Sequence, residues 1–166
     1  MQRLILLRHG KAESVAATGG DFERGLTERG RRDAALISRV LAEAGMAPDL
    51  ALVSAARRTR ETWDEAEAVF SCARCENSRT LYLASCEQLA QMVENVAEAV
   101  TSLMVVGHNP GLHEFALTLL GAAAAPDNPL AGSFPTAAAA VFRMDGAGVA
   151  RFERLFLPRQ FGGGPP

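Results

Sequence analysis

Apolar residues in this chain come in short blocks, and nearly every block is followed by a helical stripe. Leu4 to Leu7 is a continuous apolar run close to the N-terminus, the pattern of a strand buried on both faces. After a polar stretch at 11–26 that contains Gly19-Gly20, Thr27 is placed to cap a helix. Ala34, Ile37, Leu41 and Ala44 mark its inner face, and Gly45 and Pro48 end it. Leu50 to Val53 predicts a second buried strand. It is followed by a helix with Thr59, Thr62, Trp63, Ala66 and Val69 on one side. Residues 71–79 are polar and read as a loop. Thr80 to Leu83 reads as an edge-like strand, and Ser85 with Gln88 as a capping box. Leu89, Met92, Val93, Val96 and Val100 give a third helical stripe, Leu103 to Val106 a further buried strand, and Leu112, Phe115, Ala116 and Leu119 a fourth helix. Residues 121–137 read as irregular. Ala138 to Met144 and Val149 to Phe156 flank Asp145-Gly146, a hairpin signal.

Alternation of strand and helix predicts a three-layer α/β/α sandwich, with a mainly parallel central sheet and a C-terminal β-hairpin. The chain of 166 residues suits one domain over 1–158, with a flexible Gly/Pro tail at 159–166.

Composition narrows the functional classes. Seventeen basic residues stand against nineteen acidic ones, a net charge of −2, and the basic residues are not gathered into patches. This gives no footing for an electrostatic nucleic-acid binder. No apolar run approaches the length of a membrane span, and the N-terminal run is too short for a signal peptide. The expected location is the cytoplasm. Cys72, Cys75 and Cys86 lack the second pair that a structural zinc site needs, and read as reduced thiols.

The chemistry is expected where strands end. In a parallel sheet the carboxyl ends of the strands lie on one side, and ligands bind there. Arg8 and His9 follow the first strand, Arg57 the second and His108 a later one. Gly10 permits a sharp turn. Two arginines and two histidines without a carboxylate among them suit a dianionic phosphoryl group. The chain has no P-loop sequence, and the histidines lack the cysteine and carboxylate company of a metal site. The pattern therefore points to phosphoryl transfer without a metal or other cofactor, with histidine as nucleophile and the arginines spreading charge. Arg58 and Arg60 read as solvated helix residues, His113 as a surface or capping residue, and Lys11 as solvated.

These residues resemble the motifs of the histidine phosphatase (phosphoglycerate-mutase-like) superfamily. Arg8-His9-Gly10, Arg24-x-Leu26-Thr27-x-x-Gly30, Ser54-x-x-Arg57-x-x-x-x-Thr62 and Val106-Gly107-His108-Asn109-Pro110 occur in the family's order over roughly residues 3–144. Small size and the Gly-His-Asn-Pro-Gly turn are most similar to SixA-like phosphohistidine phosphatases. The resemblance implies that His9 attacks phosphorus to form a phosphohistidine, which water then hydrolyses. It implies that Arg8, Arg57 and His108 hold the phosphoryl oxygens, with Arg24 and the Asn109 backbone N–H as further contacts. Two positions depart from the wider family. Val15 stands where an asparagine is common, and Leu81 to Ser85 supplies no carboxylate acid; Glu87, in the first turn of a helix, is the nearest. A missing acid handicaps alkyl esters more than phosphohistidine, whose leaving group is an imidazole. Three readings follow: a phosphatase of phosphohistidine on a protein, a phosphatase of small esters or anhydrides, and a non-catalytic phosphoprotein-binding module. The expected partner is a phosphohistidine-bearing protein or a small phosphorylated molecule; the sequence leaves the oligomeric state open.

Overall fold

A computed structural model describes residues 1–96, 99–121, 128–145 and 148–164. Six strands form one sheet: β1 (Arg3–Arg8), β2 (Leu50–Ser54), β3 (Arg74–Ser78), β4 (Ser102–Gly107), β5 (Ala139–Met144) and β6 (Ala150–Phe156). Their order across the sheet is β3-β2-β4-β1-β5-β6. The first four are mutually parallel; β5 is antiparallel to β1, and β6 to β5. The sheet is therefore mixed, with a parallel core and an antiparallel C-terminal pair.

Alternation along each central strand feeds two apolar layers. Leu4, Leu6, Leu103 and Val105 face helices α3 (Cys86–Glu94) and α4 (Gly111–Leu120). Ile5, Leu7, Met104 and Val106 face α1 (Glu28–Glu43) and α2 (Arg57–Glu67). Leu4 to Leu7 are fully buried, each side chain contributing roughly 1.5–3 kcal/mol of burial. Nothing in that run could be polar without loss, which is why it was legible.

Local signals place the helix ends. The Thr27 side chain accepts the Gly30 N–H at 3.0 Å at the start of α1. Gly45, at φ +69°, ends it, with the Gly45 N–H on Ala42 and the Met46 N–H on Leu41, the paired bonds of a Schellman motif. The Ser85–Gln88 capping box is formed. α3 stops at Glu94, short of the stripe's end at Val100.

Two expectations are corrected. The edge strand is Arg74–Ser78, and Thr80 to Leu83 is not a strand, its start lying in a 3-10 turn, Arg79–Leu81. β3 pairs only with β2 and is largely exposed, so its polar sequence carries no apolar signal. The end of the chain is also not a loose tail as far as Gly164. Pro158–Phe161 forms a 3-10 turn. The Phe161 ring stacks on Phe156 at 6.2 Å, and the Gly164 N–H donates to Asp33 Oδ1 at 2.9 Å. One aromatic anchor and one buried carboxylate acceptor tie down a Gly-rich segment that composition alone would leave free. Gly146, of the expected hairpin turn, lies outside the described residues. No helix among the described residues is long and apolar enough to cross a membrane.

Candidate active site

The carboxyl ends of β1 and β4 are neighbours: Arg8 pairs with Gly107 in register. The residues that follow, His9 and His108, therefore meet, with ring centroids 5.2 Å apart. They line a cavity of about 350 Å3 together with Arg8, Lys11, Asp21, Arg24, Arg58, Leu83, Asn109 and Thr136. A larger hollow of about 730 Å3 lies between α1 and the C-terminal turn, but it contains no histidine and shares no lining residue with this one.

His9 is only 8% exposed. Its Nδ1 lies 2.7 Å from the Gly10 carbonyl oxygen. A carbonyl can only accept, so Nδ1 carries the proton and the neutral ring keeps its lone pair on Nε2. Gly10 thus serves His9 from behind. Its own N–H donates to Thr62 Oγ1 at 3.0 Å, and a Cβ at this position would run into the Gly30 carbonyl. Burial is the main cause that lowers the His9 pKa to about 3; the Gly10 bond opposes it, and Arg58, Arg8 and Arg24 reinforce it. His108 is 3% exposed, with Nε2 2.7 Å from the Ser54 hydroxyl. Its pKa is also lowered to about 3, first by burial, then by His9 and Arg58. Tyr82 packs edge-on against it at 5.6 Å.

The guanidinium groups are held from the outside. Arg8 Nη1 donates to the Phe134 carbonyl at 2.8 Å, and the Asn109 side-chain amide donates to the same oxygen at 3.0 Å. Arg58, 2% exposed, donates through Nη1 to the Asp21 backbone oxygen at 2.7 Å and through Nη2 to Asp21 Oδ2 at 3.0 Å. Arg24 donates to Asp21 Oδ1 at 2.8 Å and to the Glu13 carbonyl at 2.7 Å. Tyr82 donates its hydroxyl to Asp21 Oδ2 at 2.7 Å. Asp21, from a 3-10 turn (Asp21–Glu23) in the loop after β1, is thus the hub of the wall. Its carboxyl is held well below the usual carboxylate range, first by the Tyr82 hydroxyl, then by Arg24 and Arg58.

Several buried side-chain nitrogens remain without a partner. Arg8 Nε, Arg58 Nε and His108 Nδ1 are buried and unbonded. Of eight such side-chain atoms found among the described residues, four belong to residues that line this cavity, these three and Asn109 Oδ1. With both imidazoles neutral, four cationic side chains face one carboxylate, and the field favours an anion.

The structure brings together Arg8, His9, His108, Arg24 and Asn109 as the sequence predicted. It does not bring Arg57. Arg57 is exposed and its Nε binds Glu61 Oε1 at 2.7 Å, which, with the charge of that carboxylate, raises its pKa. The cavity arginine is Arg58, expected on a solvated face. α2 begins at Arg57, and successive helical residues point about 100° apart. Arg58 shares its face with Thr62, whose hydroxyl donates to the Arg58 carbonyl at 2.7 Å; Arg57 shares its face with Glu61. The buried stripe Thr59, Thr62, Trp63, Ala66, extended four residues back from Thr62, reaches Arg58, so the signal was present. Asp21, Tyr82 and Thr136 were missed because they sit in irregular segments without periodicity. Lys11, expected to be solvated, lines the cavity while exposed. Glu87 binds the Ser85 hydroxyl at 2.7 Å and lies outside the cavity lining. His113 ties Leu130 through its carbonyl at 2.8 Å.

The low imidazole pKa values make a prediction. Unfolded histidine titrates near 6.5, so between about pH 3 and 6.5 the unfolded chain binds more protons than the folded one. The contribution of His9 and His108 to stability is then complete above pH 6.5 and is lost progressively as pH falls. Proton NMR of the two ring Cε1–H signals should show no titration step between pH 5 and 8; a step near 6.5 would contradict the buried neutral pair.

Comparison with known proteins identifies the family. The model of the histidine phosphatase superfamily (branch 1) matches residues 4–81. The crystal structure of SixA from Agrobacterium tumefaciens is 31% identical, covers 95% of this chain and 98% of its own, and superposes with a TM-score of 0.85. The chain belongs to the histidine phosphatase superfamily and is a phosphatase. Within that superfamily it is SixA-like. A SixA structure with bound tungstate, 24% identical, shares the fold at a TM-score of 0.77 over 95% of this chain and 98% of its own. An uncharacterised chloroplastic protein of Arabidopsis thaliana is 31% identical over 95% of this chain and 78% of its own length. An uncharacterised Mycobacterium tuberculosis protein is 33% identical over 84% of this chain and 88% of its own.

Proposed function

We propose that the protein hydrolyses phosphohistidine carried on another protein, through a covalent intermediate on His9. The neutral ring of His9 presents its Nε2 lone pair to phosphorus. The P–N bond of the substrate breaks as a new P–N bond to His9 forms, and the substrate ring, protonated on its other nitrogen, departs as neutral imidazole. Water then attacks phosphorus, releasing inorganic phosphate and regenerating neutral His9. Arg8, Arg58 and His108, which line the cavity beside His9, stabilise the transferring oxygens, and Arg24 and the Asn109 backbone extend that cradle. Arg58 takes the part that the sequence assigned to Arg57.

One observation carries the choice of substrate. The carboxylate of the cavity lining is Asp21, and it is held ionised by Tyr82, Arg24 and Arg58. An ionised, fully engaged carboxylate cannot protonate a leaving alkoxide. A phosphohistidine ring that already carries a proton on its other nitrogen leaves as neutral imidazole and needs no acid from the site. The Agrobacterium relative, named SixA for an inferred phosphohistidine phosphatase activity, supports the same reading. The test is a substrate comparison at equal phosphate content: a histidine-phosphorylated protein against glycerol phosphate. A preference of at least about a hundredfold in kcat/KM is expected for the former. Equal or better turnover of glycerol phosphate makes the protein a small-ester phosphatase instead. No turnover of any phosphate compound leaves a phosphoprotein-binding module.

A further inference from the structure

Leu83 lines the phosphoryl cavity, yet is 54% exposed. Its backbone stands at φ +51°, a region that leucine rarely adopts and that glycine and asparagine adopt readily. Its neighbours impose that conformation. Leu81 is buried in the core. Tyr82 is fixed by the His108 ring and by Asp21. Ala84 is buried, and its carbonyl lies so close to Gly111 that a Cβ there would collide with it. With three neighbours pinned, residue 83 is thrust outward at the cavity wall. A polar residue with a taste for this backbone would satisfy the turn at lower cost, but the position holds an exposed leucine. Val15, 75% exposed, lies on the loop that supplies Lys11, Ala12, Asp21 and Arg24 to the cavity lining. Only one other large apolar side chain among the described residues, Val149, is comparably exposed. Two of the three thus belong to segments that build the cavity.

We infer that Leu83, helped by Val15, is a specificity contact that receives apolar side chains flanking the phosphorylated histidine of a protein substrate. This rests on the phosphohistidine reading above. A cationic floor and an apolar rim match a phosphohistidine set in an apolar surface; a free sugar phosphate, polar throughout, has nothing for the rim to bind. What sets Leu83 apart from an ordinary exposed apolar residue is that a strained backbone holds it on the wall of the cavity.

The experiment uses two synthetic phosphohistidine peptides of equal length, one with leucines and one with serines beside the phosphohistidine, and free N-phosphohistidine as a third substrate. The wild-type protein should prefer the leucine-flanked peptide by about tenfold in kcat/KM, chiefly through KM. In Leu83→Asn that ratio should fall below about twofold, with an unchanged or higher Tm, since asparagine suits the backbone; Val15→Ser should reduce the ratio less. Equal handling of the two peptides by the wild type, or a ratio kept in Leu83→Asn, overturns the assignment. If all three substrates are hydrolysed without flank preference, the rim assignment alone fails. If none is hydrolysed while small esters are, the phosphohistidine reading fails and takes the assignment with it.

Discussion

His9→Ala will abolish turnover, by at least about 10^4-fold in kcat, while the folded protein still binds phosphate. Nucleophile removal has effects of that order because no neighbouring group can substitute in the same geometry. His108, the second imidazole, sits 5.2 Å away, but its Nε2 is taken up by Ser54. His9 is oriented by a carbonyl that fixes its tautomer, a far better preparation for attack. Binding should survive because the cationic side chains of Arg8, Lys11, Arg24 and Arg58 that line the cavity are untouched. Steady-state rates and equilibrium binding of inorganic phosphate, measured on the same preparation, read the two effects separately. Loss of both together would mean that His9 is structural.

Arg58→Ala will lower kcat/KM by about 10²–10³-fold, whereas Arg57→Ala will stay within about twofold. Removing one preorganised donor from a charge-developing site costs about 3–4 kcal/mol in other enzymes. Arg58 is nearly fully buried and anchored at two points on Asp21. Arg57 is exposed and engaged by Glu61, and surface ion pairs contribute little. Because Arg58→Ala also leaves Asp21 with one fewer partner, a urea titration must accompany the kinetics, and Arg58→Lys supplies a second variant. Lysine keeps the charge but not the fork, so it should recover stability more than rate. The reverse ranking, with Arg57 the sensitive position, would contradict the site as described.

What could be read from the sequence followed from periodicity. Leu4–Leu7, Leu50–Val53 and Leu103–Val106 are buried on both faces, and their apolar runs are a direct consequence. Arg8, His9 and His108 were legible because strand ends are well defined by such runs. β3 was not, since an edge strand with one pairing partner can be polar. Arg58 was misread by one residue: a count from the strand end fixes where a helix begins, but the side chain's direction depends on the helical phase set by Thr62 and Trp63. The Asp21 hub was invisible because it joins Arg24, Arg58 and Tyr82 across 61 positions of chain, a pairing that no local pattern encodes. Asp33 holding Gly164 across 131 positions escaped for the same reason.

The most direct measurement is rapid-quench trapping with a histidine-phosphorylated protein, followed by alkaline digestion and mass mapping of the phosphoryl group on the enzyme. The account predicts one acid-labile phosphoryl group, on His9, formed and discharged at rates that match turnover. A phosphoryl group on His108, or full turnover with no phosphoenzyme at all, would contradict it.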